Sequence, residues 1–237
     1  MRTLFHFGDS YGTIDTTIES NKHFCNHIAD YLQSHYICYA VGGYSNEIVF
    51  NTILDNMNFF KKNDIIFINF SFFSRGCYYD EDRKKIKSTN YLYNEIRNDR
   101  LFNNKLDKNL INLVEYYIEN HIDYNFRLFK LINSTFNYLQ KKGINIFYIF
   151  IENSDYSNNL LNFGTHINFE NGFHKWLIKN NFHLNQDVHY TRGIQKMLSD
   201  VILRKTNNLE PVVDAKYVEI KINDIDKSKI EKSSKII

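Results

Sequence analysis

Hydrophobic and polar positions alternate along this chain in a regular way: short dense apolar runs give way to longer stretches with helical spacing. Arg2 to Phe7 is a run of large residues that predicts a first strand, broken by Gly8-Asp9-Ser10. From Asn21 to Ser34, Cys25, Ile28, Ala29 and Leu32 fall at i, i+3, i+4, i+7 and predict a helix. Tyr36 to Val41 reads as a second strand, continuously apolar as a buried parallel strand requires. It ends in Gly42-Gly43-Tyr44-Ser45-Asn46, and a helix follows with Val49, Phe50, Ile53, Leu54 and Met57 as its inward stripe and Ser45 or Asn46 as its cap.

Ile65 to Phe70 predicts the third strand. Residues 76–108 then lose periodicity and become charged and tyrosine-dotted, and a connection of that length marks a lid or binding loop or a surface excursion. Helical spacing returns over Asn109 to Lys142, as two helices or as one with a break near His121 to Asn125, and Gly143 stops it. Ile144 to Ile151 is the fourth strand. Residues 158–182 read as irregular, with a short helix near Gly172 to Ile178. His183 to Gln186 is a short last strand or an extended approach to a final helix, which begins near Thr191 and buries Ile194, Met197, Leu198, Val201 and Ile202. Pro211, the single proline, marks the expected end of the compact domain, with residues 1–207 as the domain and 208–237 as a tail. Within the tail Val218 to Ile222 alternates like a strand that pairs with a sheet edge or a partner, and the polar end reads as disordered.

Strands alternating with helices imply an α/β protein with a mostly parallel sheet of about five strands, covered on both faces. With 237 residues, 43% of them hydrophobic, the chain can bury the core of one such domain. A net charge of +2 with mixed signs, and the absence of a basic stripe or finger motif, argue against a nucleic-acid partner. The longest apolar run, Ile65 to Phe73, falls far short of the roughly 18 residues of a membrane span, so no membrane partner is expected. The first strand starts almost at Met1, with no signal peptide in view. Together with three cysteines at no metal-like spacing, this predicts a cytoplasmic protein in a reducing compartment, without excluding later incorporation into a particle. His23 and His27 stand four apart on one helix beside its apolar face, with no matching third ligand nearby, so no metal is expected.

In a parallel sheet the strand C-termini gather on one rim, where α/β proteins place their sites. Ser10, Gly43, the stretch from Asn69 to Ser71, and Asp187 with His189 all fall at or near such ends. These residue types are what acyl transfer needs. A serine hydroxyl becomes a nucleophile when an imidazole takes its proton, and a carboxylate fixes that imidazole. Ser10, His189 and Asp187 can fill those roles, with Gly43 offering a backbone N–H to a developing oxyanion.

Phe7-Gly8-Asp9-Ser10, Gly43-Tyr44-Ser45-Asn46 and Asp187-Val188-His189 resemble, in order and spacing, the blocks of the SGNH/GDSL hydrolase superfamily. The resemblance spans Thr3 to Arg204. It implies a three-layer flavodoxin-like fold and a Ser-His-Asp ester hydrolase without metal or cofactor. It also implies an oxyanion hole made by the Ser10 N–H, the Gly43 N–H and an asparagine side chain. The third block departs from the family's Gly-x-Asn-Asp: here Asn69-Phe70-Ser71-Phe72 puts Ser71 where the asparagine stands, with Asn69 two residues earlier. Either of the two supplies the third donor, or it is missing. The single residue between Asp187 and His189 is closer to relatives that transfer or remove acetyl groups on polysaccharides. The expected reaction is therefore hydrolysis of a small acyl ester on a carbohydrate, with Tyr11, Tyr44 and Arg75 as substrate contacts and the tyrosines from Tyr78 to Tyr93 as stacking surface. An acyltransferase of the same family, and a catalytically lapsed domain that binds a particle partner or a second copy through the tail, are the alternatives.

Overall fold

The computed structural model describes residues 2–9, 23–80, 85–88, 108–152, 161–180, 182, 192–211 and 214–225. Its elements run β1 (Thr3–Gly8), α1 (Phe24–Tyr31), β2 (His35–Cys38), α2 (Asn46–Asp55), β3 (Ile65–Phe70), β4 (Cys77–Asp80), β5 (Lys85–Ser88), α3 (Lys108–Lys141), β6 (Asn145–Phe150), β7 (Thr165–Phe169), α4 (Phe173–Lys179), α5 (Arg192–Lys205) and β8 (Lys216–Ile220). Six strands form one sheet in the order β2-β1-β3-β6-β7-β8, every pair parallel. This is an open α/β sheet, and its order is compatible with a flavodoxin-like arrangement.

The period of two along each strand decides which helix covers which face. Leu4, Ile65, Phe67, Phe147 and Ile149 pack with α1, α4 and α5 through Phe24, Ile28, Trp176, Leu198 and Ile202. The alternate residues Phe5, Phe7, Ile66, Ile68, Ile146 and Tyr148 pack with α2 and α3 through Val49, Phe50, Ile53, Phe129 and Phe136. β3 and β6 carry no exposed residue, as central strands covered on both sides must.

Four expectations change. β2 is not fully buried: it is four residues long, pairs with β1 alone among the described residues, and stands at the edge of the sheet with alternately exposed positions. The long helical stretch is one helix of 34 residues. Asn125, read as part of a break, is fully buried and donates its amide N–H to the Phe73 carbonyl at 2.7 Å, so it docks the helix rather than interrupting it. Residues 165–169, expected to be irregular, form a buried strand, and the sheet has six strands rather than about five. The expected strand at His183 to Gln186 lies outside the described residues.

The alternating segment of the tail pairs with a sheet edge: Thr165 to Phe169 align with Lys216 to Ile220 in parallel. Ile220 and Ile225 are buried in the same cluster as α5. Past β3, Cys77–Asp80 and Lys85–Ser88 form an antiparallel hairpin inside the expected insertion.

β7 escaped notice because its apolar pattern is interrupted by His166. That imidazole is buried and stacks on Tyr148 at 5.0 Å with the rings 4° from parallel, and Phe150 and Tyr217 meet it edge-on. Burial lowers its pKa to about 4, because the charged form loses its hydration. The unfolded chain takes up this proton near the ordinary histidine value and the folded chain does not. The neutral ring's contribution is therefore complete above about pH 6.5 and is lost as pH falls toward 4. Urea denaturation is expected to show a loss on the order of 2 kcal/mol from His166 between pH 6.5 and 5. His166→Phe should remove that part of the slope, and an unchanged slope in this variant would refute the assignment.

Candidate functional site

The C-terminal ends of β1, β2, β3 and β6 are tied together by hydrogen bonds that continue past the sheet. Gly8 accepts from the Val41 N–H at 3.1 Å, and Phe70 accepts from the Ile151 N–H at 3.1 Å. Gly8 itself is required by a close approach. A Cβ there would sit 2.8 Å from the Cβ of Asn69, its register partner on β3.

Asp9 follows immediately and is fully buried. Its Oδ2 accepts from the Ser71 hydroxyl at 2.9 Å and from Arg75 Nη1 at 2.7 Å, and the same Nη1 donates to Ser71 Oγ at 2.9 Å. The guanidinium lies over the Phe72 ring, 4.7 Å from its centroid, and is largely shielded from solvent. A carboxylate withdrawn from water costs several kcal/mol unless it is paired and hydrogen-bonded, and this triangle meets both conditions.

The turn after β2 is locked to the same place. Gly43 adopts φ +81°, a conformation that favours glycine, and Tyr44 is half-buried against the α2 side of the core. Ser45 caps α2 through its side chain, accepting from the Ile48 N–H. Asn46, buried in the first turn of α2, grips the backbone of Ser71 with both ends of its amide. The Ser71 N–H donates to Asn46 Oδ1 at 2.6 Å, and Asn46 Nδ2 donates to the Ser71 carbonyl at 3.2 Å. On the β6 side, the Glu152 carboxylate accepts from the Phe73 N–H. Beyond the rim the Cys77 thiol donates to Glu47 Oε2 at 2.8 Å, and burial together with that carboxylate pushes the thiol well above its usual range.

Of the two candidates for the third oxyanion donor, Ser71 has its hydroxyl committed to Asp9 and Arg75, and its backbone committed to Asn46. Asn69 is fully buried, and neither its Nδ2 nor its Oδ1 has a hydrogen-bond partner among the described residues. It lies beside His6. That neighbour pulls the imidazole slightly toward its charged form, but burial dominates and lowers the His6 pKa to about 3. The two side chains are near without a well-formed hydrogen bond, so His6 Nε2 is also unpaired among the described residues.

The structure thus brings together Gly43, Tyr44, Asn69, Ser71 and Arg75 at one rim. Ser10, Tyr11, Asp187 and His189 lie outside the described residues. Arg75, expected as a substrate contact, pairs with Asp9. The clamp by Asn46 and the contact of Glu152 with Phe73 had no motif to reveal them, because both depend on which loops meet.

The fold and rim define an α/β protein with a single open parallel sheet and a polar cluster at its C-terminal edge. Comparison with protein-family models and with curated proteins returns no match. Among the described residues no helix is long and apolar enough to cross a membrane.

The Asp9 triangle predicts strong coupling. In guanidinium denaturation, Asp9→Ala is expected to cost about 3 kcal/mol by leaving Arg75 without its counter-ion. A double-mutant cycle of Asp9→Ala with Arg75→Ala should give an interaction energy above about 1 kcal/mol. Additive losses would show that the ion pair holds nothing.

Proposed function

We propose that this protein is a serine ester hydrolase of the SGNH/GDSL type with a three-layer flavodoxin-like fold. Ser10 is the nucleophile, His189 the general base and Asp187 the residue that orients it. One observation carries the reading. The residue that precedes Ser10 is fixed at a rim where a positive-φ glycine after β2 and a buried asparagine amide near the end of β3, unpaired among the described residues, are held together. A tetrahedral intermediate needs a small set of pre-aimed N–H donors near the nucleophile. Gly43 and Asn69 fit that role, alongside the Ser10 N–H. Ser71 does not, because its hydroxyl is already engaged.

In this mechanism His189 takes the Ser10 proton as Oγ attacks the ester carbonyl. The oxyanion draws on the Gly43 and Ser10 N–H groups and Asn69 Nδ2. The alcohol then leaves with the proton from His189, and water, activated by the same imidazole, releases the acid. Arg75 and Ser71 hold Asp9, the residue before Ser10, in place. The substrate is a small acyl ester on a carbohydrate, with Tyr11 and Tyr44 as contacts, made and used in the cytoplasm or carried into a particle.

Purified protein is expected to turn over p-nitrophenyl acetate and to be labelled by a fluorophosphonate, with both properties lost in Ser10→Ala. Asn69→Ala should lower kcat by roughly 10²–10³ with a smaller change in KM. Absence of labelling and of turnover in well-folded protein would leave a binding module rather than an enzyme.

A further inference from the structure

On the α1 face of the sheet, one level below the rim, His6 of β1 meets His23 and Cys25 at the start of α1. All three side chains are buried, and one ligating atom from each lies within 4.8 Å of the other two. The His6 and His23 rings stack with centroids 4.6 Å apart, and Phe24 closes over His23 at 4.1 Å. As core filling this is a poor choice of residues. An unpaired buried polar atom costs about 1–3 kcal/mol, which a phenylalanine or leucine would avoid, and His6 Nε2 is such an atom among the described residues.

We propose that His6, His23 and Cys25 form a binding site for a zinc-class divalent ion. The His6 ring is already oriented for it, because Nδ1 shares a 2.9 Å hydrogen bond with the Tyr36 hydroxyl, an outer partner of the kind that ligating histidines use. Two imidazoles and a thiolate make a donor set suited to zinc, whereas magnesium and calcium require oxygen. On binding, the zinc–sulfur bond replaces the Cys25 S–H bond, and that proton leaves to solvent.

A tetrahedral ion holds such atoms about 3.3–3.8 Å apart, so the cluster contracts by about 1 Å on loading. His23 bears that movement. Its Nδ1 now caps α1 by accepting from the Cys25 N–H at 3.1 Å. A cap is worth about 1 kcal/mol, against the roughly 10 kcal/mol or more of a structural zinc site. The ion would join both ends of the chain from His6 to His23, the stretch that includes Ser10, whether or not the ester chemistry proposed above is correct.

The test is cobalt titration of the reduced, chelator-stripped protein. One equivalent should produce tetrahedral ligand-field bands and a thiolate-to-cobalt charge-transfer band, and zinc should displace both. Cys25→Ser, shown to be folded by circular dichroism, should lose the charge-transfer band, while His27→Gln, on the same helix, should keep it. A wild-type protein without the band, or a Cys25→Ser variant that retains it in full, overturns the proposal. Should Cys25→Ser not fold, competition of wild-type protein against a chromophoric chelator decides the matter. A one-to-one zinc complex that survives supports the site, and complete loss of zinc to the chelator overturns it.

Discussion

A buried carboxylate at the exit of the first strand governs how the rim is built. Asp9 is fully buried, so its charge must be met by protein, and Ser71 and Arg75, which meet it, both come from the loop after β3. That requirement fixes the path of residues 71–75 across the end of the sheet. Once Ser71 is held there, Asn46 can reach its backbone from α2, the Phe73 carbonyl can receive Asn125 from α3, and the Phe73 N–H can meet Glu152 after β6. Four strand exits and two helices are positioned around one negative charge.

The arrangement trades hydration for specificity. Interior ion pairs add little to stability over a well-packed apolar core, but a wrong pairing around Asp9 would leave a charge stranded. The β1–β3 register is guarded in the same way by shape. Gly8 leaves room for Asn69, and a slip by one residue would drive a side chain into the neighbouring strand and turn every apolar residue to the opposite face.

Beneath the rim the two faces of β1 have different characters. Phe5 and Phe7 face an apolar layer of α2 and α3, while His6 faces a layer that contains His23, Cys25 and Tyr36. Asn69 extends this polar seam toward the rim. The core here holds two imidazoles, a thiol and an amide that is unpaired among the described residues, at a cost in packing energy, on the face that leads up to Asp9 and the segment on which the proposed reaction depends.

The alternation of strands and helices, the spans of β1, β3 and β6, the apolar stripes of α1 and α5, that of α2 apart from the exposed Leu54 and from Met57 beyond its end, and the convergence of strand ends on one rim were legible in the residues. These follow from periodicity, which is a local property of the chain. The edge position of β2, the strand hidden by His166, and the unbroken α3 were not legible, because in each case a polar or aromatic residue takes its meaning from a neighbour distant in sequence. The same holds for the choice between Ser71 and Asn69. Composition treats both as donors, and only the position of Asp9 and Arg75 determines that one is occupied and the other is left open. Hydrophobic pattern selects elements one at a time, whereas hydrogen bonds among buried polar groups exist only once the elements have been brought together.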